Sequence, residues 1–435
     1  GSFGCEVLRL VWAGRFCKKS PAPCTREIKI LAAASTSKGQ FSENRLSCNP
    51  TMNDTYRRIF LNFHNNKRLN VALGREPNLH GMLNSAREMY FLGWDCDLED
   101  KAHIATDCPG FVPRYPNIAV NHMKMDYLGG TIADFISDLH EVLEHWWGKG
   151  RIVGVDSNNI YHSSMESFGK MVFSDTTKLG CSYRICFKGG QAWMNFICLY
   201  NAVPRENEPL WETGEPCTAD LACTYPTSLC AGGICVIGDA EDDNSNNMCS
   251  NSPGMTDSIR HTFLNVHNLY RSRIARGLEK TAAGNKAPTA RRMYRLKWNC
   301  ELEKRAMDSA KKCSFGMAEQ PKESLFYSTK ITGRLTNLDK MRAAKKACRM
   351  FWDQLRQRAF VRANFWSDAY PNYANMAIGG NKHLGCAIYP CYTFTVISCH
   401  YFYKKRIYET KTVPLYEIGN PCDSCLSTCK DGLCP

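Results

Sequence analysis

Leu61-Asn62-Phe63-His64-Asn65-Asn66-Lys67-Arg68 has a close copy 203 positions later, Leu264-Asn265-Val266-His267-Asn268-Leu269-Tyr270-Arg271. In both copies apolar residues recur at a spacing of three and four, which predicts a partly buried amphipathic helix. The copies share the His-Asn pair and a closing Arg. Two versions of one structural unit are therefore expected in this chain.

Four further landmarks recur in the same order and at nearly the same distance. They are Trp94-Asp95-Cys96 with Trp298-Asn299-Cys300, Leu179-Gly180-Cys181 with Leu384-Gly385-Cys386, Cys198-Leu199-Tyr200 with Cys399-His400-Tyr401, and Gly214-Glu215-Pro216-Cys217 with Gly419-Asn420-Pro421-Cys422. Five colinear matches indicate a tandem duplication. Each copy is long enough to bury a core of its own.

Cysteine content indicates the compartment, and charge distinguishes the copies. The 24 cysteines are spaced as disulfide frameworks, so we predict a secreted, extracellular protein. Residues 49–248 carry 16 Lys and Arg against 25 Asp and Glu, whereas residues 249–435 carry 31 against 14. Two copies of one fold thus have formal charges of −9 and +17.

The repeated motifs resemble the CAP superfamily of cysteine-rich secretory, antigen 5 and pathogenesis-related proteins. The tandem form is similar to the two-domain activation-associated secreted, or venom allergen-like, proteins of parasitic nematodes. The resemblance implies an α+β fold, with two tandem α-β-α sandwich CAP domains, each followed by a small cysteine-rich hinge. We place an N-terminal cysteine-containing extension at 1–47, the first domain with its hinge at 48–237, an acidic linker at 238–248, and the second domain with its hinge at 249–435.

Periodicity predicts the remaining elements of each copy. After the opening helix of copy one we expect helices at 89–108 and 132–147, and strands at 170–173, 180–186 and 192–200. In copy two we expect helices at 258–276, 290–313 and 339–358, and strands at 373–378, 385–390 and 394–402.

Four cysteines have no counterpart in the duplication. Six core cysteines match between the copies, and each hinge holds four more, which leaves Cys348 with Cys5, Cys17 and Cys24 of the extension. We hypothesise that the extension is bonded to Cys348 or to a second chain.

The resemblance also implies a cavity where two His and two Glu can hold a divalent metal. The positions we match to it are Pro116, Lys149 and Ser167 in copy one, and Glu323, Gln354 and Asn372 in copy two. Only Glu323 keeps a ligand of that set, and Lys149 would repel a cation. We therefore expect no metal and no other cofactor.

No arrangement of residues indicates catalysis. His140 and His145 are five apart, roughly 140° round a helix, whereas a zinc protease places its histidines four apart. The resemblance implies a packing role for His64 and His267. With no nucleophile elbow or phosphate loop in the sequence, we expect no catalytic residues and no enzymatic activity.

One helix face of copy two carries the candidate binding residues. Arg342, Lys345, Lys346, Arg349 and Arg356 fall within about 100° of arc, which predicts a polyanion-binding surface such as one for glycosaminoglycan. A solvated helix face is the plain alternative. Docking of this face on the acidic copy one, in the same or a neighbouring chain, is another.

We conclude from the sequence that the function is non-catalytic. The resemblance implies a secreted effector that binds a host cell-surface or extracellular protein and modulates host immunity; the alternative is an extracellular carrier of sterol or fatty acid. We expect no nucleic-acid partner.

Asn53 begins the sequon Asn53-Asp54-Thr55, a glycosylation candidate just before the first helix.

Overall fold

A computed structural model of the protein describes residue 48 and residues 52–108, 114–238, 244–250, 252–314, 322–329, 332–357, 364–402 and 411–435. These divide into two compact units. The first contains the described residues up to Cys223 together with Leu229–Val236, and the second contains Thr224–Ser228 and the described residues from Ile237 to Pro435.

The first unit is an α-β-α sandwich. Its elements are α1 (Asp54–Ala72), β1 (Gly93–Trp94), α2 (Cys96–Ala105), β2 (Ala119–Asp126), α3 (Ile132–Val153), α4 (Glu166–Val172), β3 (Lys178–Lys188), β4 (Gln191–Tyr200), β5 (Leu229–Ala231) and β6 (Ile234–Val236). The sheet has the order β1-β3-β4-β2, with β1 parallel to β3 and the other pairs antiparallel. Helix α2 covers one face, and α1, α3 and α4 cover the other.

The second unit repeats this plan. Its elements are α5 (Asp257–Ala275), β7 (Lys297–Trp298), α6 (Cys300–Ala310), β8 (Glu323–Ser328), α7 (Asn337–Gln357), α8 (Pro371–Ala377), β9 (His383–Pro390) and β10 (Thr395–Tyr401). The sheet order is β7-β9-β10-β8, so equivalent strands have the same order as in the first sheet. The α+β class and the tandem arrangement expected from the duplication are confirmed.

The short apolar runs at 170–173 and 373–378 form helices α4 and α8, so the strands predicted there were wrong. Phe168, Met171 and Val172 are buried at i, i+3 and i+4, a helical spacing that a run of only three apolar residues does not reveal. The edge strands β2 and β8 were not predicted. Their burial alternates only partly, because one long edge of each is without a partner strand in the described sheet.

Helix α2 begins seven residues later than predicted. The Asp95 side chain accepts a hydrogen bond from the Leu98 amide at 3.0 Å, so the helix starts at its N-cap. The preceding residues pair with the hinge instead: the Cys235 amide donates to the Met89 carbonyl at 2.8 Å. Asn299 caps α6 in the same way, and the Cys434 amide donates to the Met293 carbonyl.

Ten disulfides join the described cysteines in the same pattern in both units. The pairs are Cys48–Cys96, Cys108–Cys186, Cys181–Cys198, Cys217–Cys230 and Cys223–Cys235, then Cys249–Cys300, Cys313–Cys391, Cys386–Cys399, Cys422–Cys429 and Cys425–Cys434. Cys348 is a free, fully buried thiol on α7, so the bond proposed for it is wrong. Cys5, Cys17 and Cys24 lie outside the described residues.

Each unit is organised round a buried polar framework on its His-Asn helix. The Arg57 guanidinium forms two hydrogen bonds to the Glu99 carboxylate, at 2.8 and 2.6 Å, and Trp94 donates to the same carboxylate. Arg68 is fully buried, and each of its nitrogens donates to a backbone carbonyl. The second unit repeats this arrangement with Arg260, Glu303, Trp298 and Arg271.

The end of the linker belongs to the second unit. The backbone amides of Asn247 and Met248 donate to the Asp257 carboxylate at 2.7 and 3.0 Å, and Arg260 donates to the Asn246 side chain. These bonds tie residues 246–248 to the start of α5.

Candidate functional site

A cleft in the first unit lies between the free edge of β2, the second half of α3 and the start of α4. Its volume is about 430 Å³. The lining residues are Val120, Asn121, His122, Met123, His145, Trp146, Lys149, Ser163, Ser164, Glu166, Ser167 and Lys170. Two positions matched to the family cavity, Lys149 and Ser167, therefore line one cleft.

The floor of this cleft is tied down by hydrogen bonds. The Lys170 ammonium donates to the Val120 carbonyl at 2.7 Å and pairs with Glu166 on the preceding turn of α4. The Ser167 hydroxyl donates to the Trp146 carbonyl at 2.8 Å. Lys149 is half-buried and has no hydrogen bond or ion pair to any other described residue.

The register of the sheets corrects one assignment. Val120 pairs with Leu199 on β4, and Glu323 pairs with His400 on β10. Leu199 and His400 each directly follow one of two matching cysteines, Cys198 and Cys399. Val120 is thus the structural counterpart of Glu323. Pro116, which was matched to Glu323 from the sequence, is exposed ahead of β2 and does not line the cleft.

Glu323 in the second unit is held by a polar group of its own. Its carboxylate accepts hydrogen bonds from the Ser398 hydroxyl at 2.8 Å and from Ser309, and His400 Nε2 lies 3.2 Å away. Burial would raise the pKa of this carboxyl, but these hydrogen bonds outweigh it and hold the pKa below its usual value.

Gln354 and Asn372 lie elsewhere in the second unit. The Gln354 side-chain oxygen accepts from the Asn372 and Tyr373 amides at 3.0 and 3.1 Å, which caps α8. The Glu323 side chain reaches Ser309 on α6, whereas Ser324 faces Asn375 on α8. Because successive residues of a strand point to opposite faces, Glu323 does not converge with Gln354.

The recurring histidines are part of the framework. His64 Nδ1 lies 2.7 Å from the Phe60 carbonyl and Nε2 lies 2.9 Å from the Tyr200 hydroxyl. A carbonyl can only accept, so Nδ1 carries the proton and Nε2 accepts from Tyr200. His267 repeats both contacts with Phe263 and Tyr401. Burial lowers the pKa of each imidazole to about 4.

The basic face predicted on α7 is partly enclosed within the second unit. Arg349 is 8% exposed, so including it in the predicted polyanion-binding surface was wrong. The Arg342 guanidinium lies 3.7 Å above the Tyr225 ring, and Lys345 donates to the Tyr225 carbonyl at 3.1 Å. Arg356 pairs with the buried Glu279 at 2.9 Å. Helical periodicity gives the positions of these residues round α7. It does not show that the Thr224–Ser228 segment contacts Arg342 and Lys345.

Comparisons with known proteins agree with this architecture. The profile of CAP, the cysteine-rich secretory protein family, matches residues 61–200 and again 264–401. The chain belongs to the CAP family. It is 35% identical over 410 residues to the Ancylostoma secreted protein of Ancylostoma caninum, covering 89% of this chain and 93% of that protein. The crystal structure of Na-ASP-1 superposes with a TM-score of 0.56 at 34% identity, over 90% of this chain and all of that one.

A shorter relative matches one CAP copy. Hookworm platelet inhibitor 1 of Ancylostoma caninum is 26% identical over 200 residues, which is 44% of this chain and 85% of that protein. With its secreted relatives and its many disulfides, this CAP protein is secreted and extracellular. No helix in the described ranges is long and apolar enough to cross a membrane.

The residues at the CAP cavity do not fit a divalent metal. The first unit places the Lys149 and Lys170 ammonium groups in the cleft, and the second commits Glu323 to Ser309, Ser398 and His400. We predict that calorimetric titration with zinc at neutral pH gives no site tighter than micromolar, because a closed set of ligands is missing. Glu323→Ala should leave the titration unchanged. A stoichiometric submicromolar site lost in Glu323→Ala would contradict this.

Asn53 is exposed at the N-cap of α1. Its side-chain oxygen accepts from the Thr55 amide at 2.8 Å, which leaves the side-chain nitrogen, the atom that carries a glycan, outside the capping bond. We therefore keep Asn53 as the proposed glycosylation position.

Proposed function

We propose that this protein is a secreted, non-catalytic binding protein that engages a host cell-surface or extracellular macromolecule and so modulates host immunity. The observation that supports this most is the charge difference between its copies. Residues 249–435 carry 31 basic against 14 acidic side chains, far more than solubility requires. A polyanion of the glycosaminoglycan class is the ligand we propose for the second unit.

The basic side chains at the surface of the second unit support that ligand. Lys345 and Lys346 remain partly exposed on α7. Helix α6 adds Lys304 and Arg305, and Lys311 follows its last residue; all three are exposed. A dense anionic chain crossing such groups releases its counterions, as nucleic acid does when it binds a basic protein.

A non-catalytic role is supported by where the strongly perturbed groups lie. Four residues whose pKa values are strongly shifted by burial are in the buried frameworks. His64 and Arg68 are fully buried in the first unit, and His267 and Arg271 in the second. Their hydrogen bonds are made within the protein, out of reach of a substrate.

Heparin chromatography of the full chain tests the polyanion proposal. The double variant Lys345→Glu, Lys346→Glu should elute at clearly lower salt, because it replaces two cations with anions on α7. Lys101→Glu, Lys188→Glu in the first unit makes the same change in net charge and should elute close to wild type. Arg349 is left out, since reversing a buried cation would unfold the unit.

The possible outcomes separate the alternatives. Unchanged retention of the α7 variant would move the site to α6, or to Lys404-Lys405-Arg406, which lies outside the described residues. No retention of wild type near physiological salt would overturn the proposal. It would favour instead a solvated face or one docked on the acidic copy.

A carrier of sterol or fatty acid is the second candidate. Leu128, Ile132 and Phe187 in the first unit are 96%, 70% and 72% exposed, and side chains of this kind bind apolar ligands. Native mass spectrometry and organic extraction of purified protein distinguish the candidates, because a carrier should release a stoichiometric lipid and the polyanion-binding protein should not.

A further inference from the structure

The first-unit cleft has the charge of an anion site. Where the family can place metal-binding carboxylates, this chain has Lys149, and Lys170 lines the same space. Glu166 neutralises Lys170, so the net positive charge of the cleft comes from Lys149. That ammonium has no hydrogen bond or ion pair among the described residues, although it is half-buried. A half-buried cation without a protein partner attracts an anion from solution.

The other lining groups add hydrogen-bond donors. Ser163 and Ser164 lie before the start of α4, and the exposed His145 lies one turn before Lys149 on α3. A hydroxyl has one proton to donate, an imidazole has at least one, and an ammonium has three. Donors come from two chain segments, which suits a ligand with oxygens pointing in several directions.

The acidic surroundings do not cancel this local charge. Glu206 is exposed beyond the cleft and pairs with His162, and its carboxylate accepts from the Ser163 amide. Glu166 is the acidic residue among those that line the cleft, and charges farther away are screened by solvent, where the Debye length is about 8 Å at physiological ionic strength. Groups in contact with the ligand therefore decide its sign.

We propose that the first-unit cleft binds a tetrahedral oxyanion, a sulfate or phosphate monoester, with Lys149 as its main contact and Ser164 and His145 as further donors. Charge-assisted hydrogen bonds from an ammonium are among the strongest available to such an ion. This site is separate from the polyanion surface proposed on the second unit, and either can fail without the other.

The second unit supplies an internal control. Gln354 is the counterpart of Lys149, and its side chain is committed to the α8 amides. Lys149→Gln therefore installs the residue that the other copy has. Because Lys149 makes no hydrogen bond to another residue that the structure describes, both Lys149→Gln and Lys149→Glu should unfold at the same urea concentration as wild type. Lys188→Glu, an exposed change at the β3–β4 turn, controls for net charge.

The test uses the full chain and two probes of distinct source. Glucose 6-sulfate represents a soluble monoester, and vesicles with phosphatidic acid in phosphatidylcholine represent a lipid headgroup. Either probe should bind wild type and Lys188→Glu alike, and bind Lys149→Glu at least roughly tenfold more weakly. If Lys149→Glu binds the sugar sulfate more weakly than wild type, the ligand is a soluble ester. If it binds the vesicles more weakly, the ligand is a lipid headgroup.

A second measurement locates the ion. Crystals soaked in tungstate, a tetrahedral oxyanion with strong anomalous scattering, should show a peak within hydrogen-bond distance of Lys149 Nζ in wild type and none in Lys149→Gln. Equal affinity of all three proteins for both probes, or tungstate confined to the second unit, would overturn the proposal.

Discussion

Replacing Arg68 by Met should destabilise the first unit by about 4 kcal/mol or more, which is comparable with the whole stability of many domains. The guanidinium is fully buried and donates to four backbone carbonyls, those of Tyr90, Met171, Phe173 and Thr176, at 2.8 to 3.0 Å. Burial lowers its pKa to about 9, so it stays charged at neutral pH. Methionine fills the space but leaves those acceptors without a donor.

Urea unfolding with the disulfides intact measures this loss. Two transitions are expected, one for each unit, and Arg68→Met should shift only one of them. Arg271→Met should shift the other, since Arg271 donates to the equivalent carbonyls. Arg58→Met changes an exposed arginine on the same helix and should stay within about 0.5 kcal/mol of wild type. A loss under about 1 kcal/mol in Arg68→Met would show that the framework does not depend on this residue.

Acid should begin to destabilise both units below about pH 6.5, because each unit buries a neutral histidine. The folded pKa of His64 and of His267 is about 4, against about 6.5 in an unfolded chain. The unfolded state therefore binds more protons between these values. The stabilising contribution of each neutral imidazole is complete above about pH 6.5 and is lost as the pH falls toward 4. The loss is about 3 kcal/mol per histidine over that window.

Unfolding free energies at pH 7, 6 and 5 test this linkage. The change of the second unit's unfolding free energy with pH should be much smaller in His267→Gln than in wild type. It should be unchanged in His261→Gln, which alters an exposed histidine of the same helix. Asp257 and Glu323 of the second unit have lowered pKa values, so the stability that they contribute is lost only below this range. A wild-type stability independent of pH between 7 and 5 would contradict the assignment of both imidazoles as neutral.

The sequence was sufficient to predict the duplication and the long helices, because their signals are local or repeated. The spacing of Phe60, Phe63 and His64 is that of one buried helix face, and its recurrence near His267 requires no tertiary information. The predictions that were wrong concern features that depend on short elements or on contacts between residues distant in sequence. Helices α4 and α8 are too short to show a full period. The start of α2 depends on hinge residues far along the chain.

The candidate sites show the same division. Lys149 and Ser167 were found from motif spacing, and they line one cleft. Pro116 was matched to Glu323 because the stretch before β2 is irregular, and only the strand register identifies Val120 as the counterpart. Helical periodicity grouped Arg349 with the other cations, but it cannot show that the Arg349 side chain is buried in the folded unit.

Titration of the full chain with a defined heparin oligosaccharide at several salt concentrations tests whether the protein acts, as we claim, by binding through a basic second unit. The Kd should rise on the order of tens-fold between 50 and 200 mM salt, as expected when several cations displace counterions. The Lys345→Glu, Lys346→Glu variant should show a weaker dependence. Affinity that is absent at 50 mM salt, or that does not change with salt, would contradict the claim.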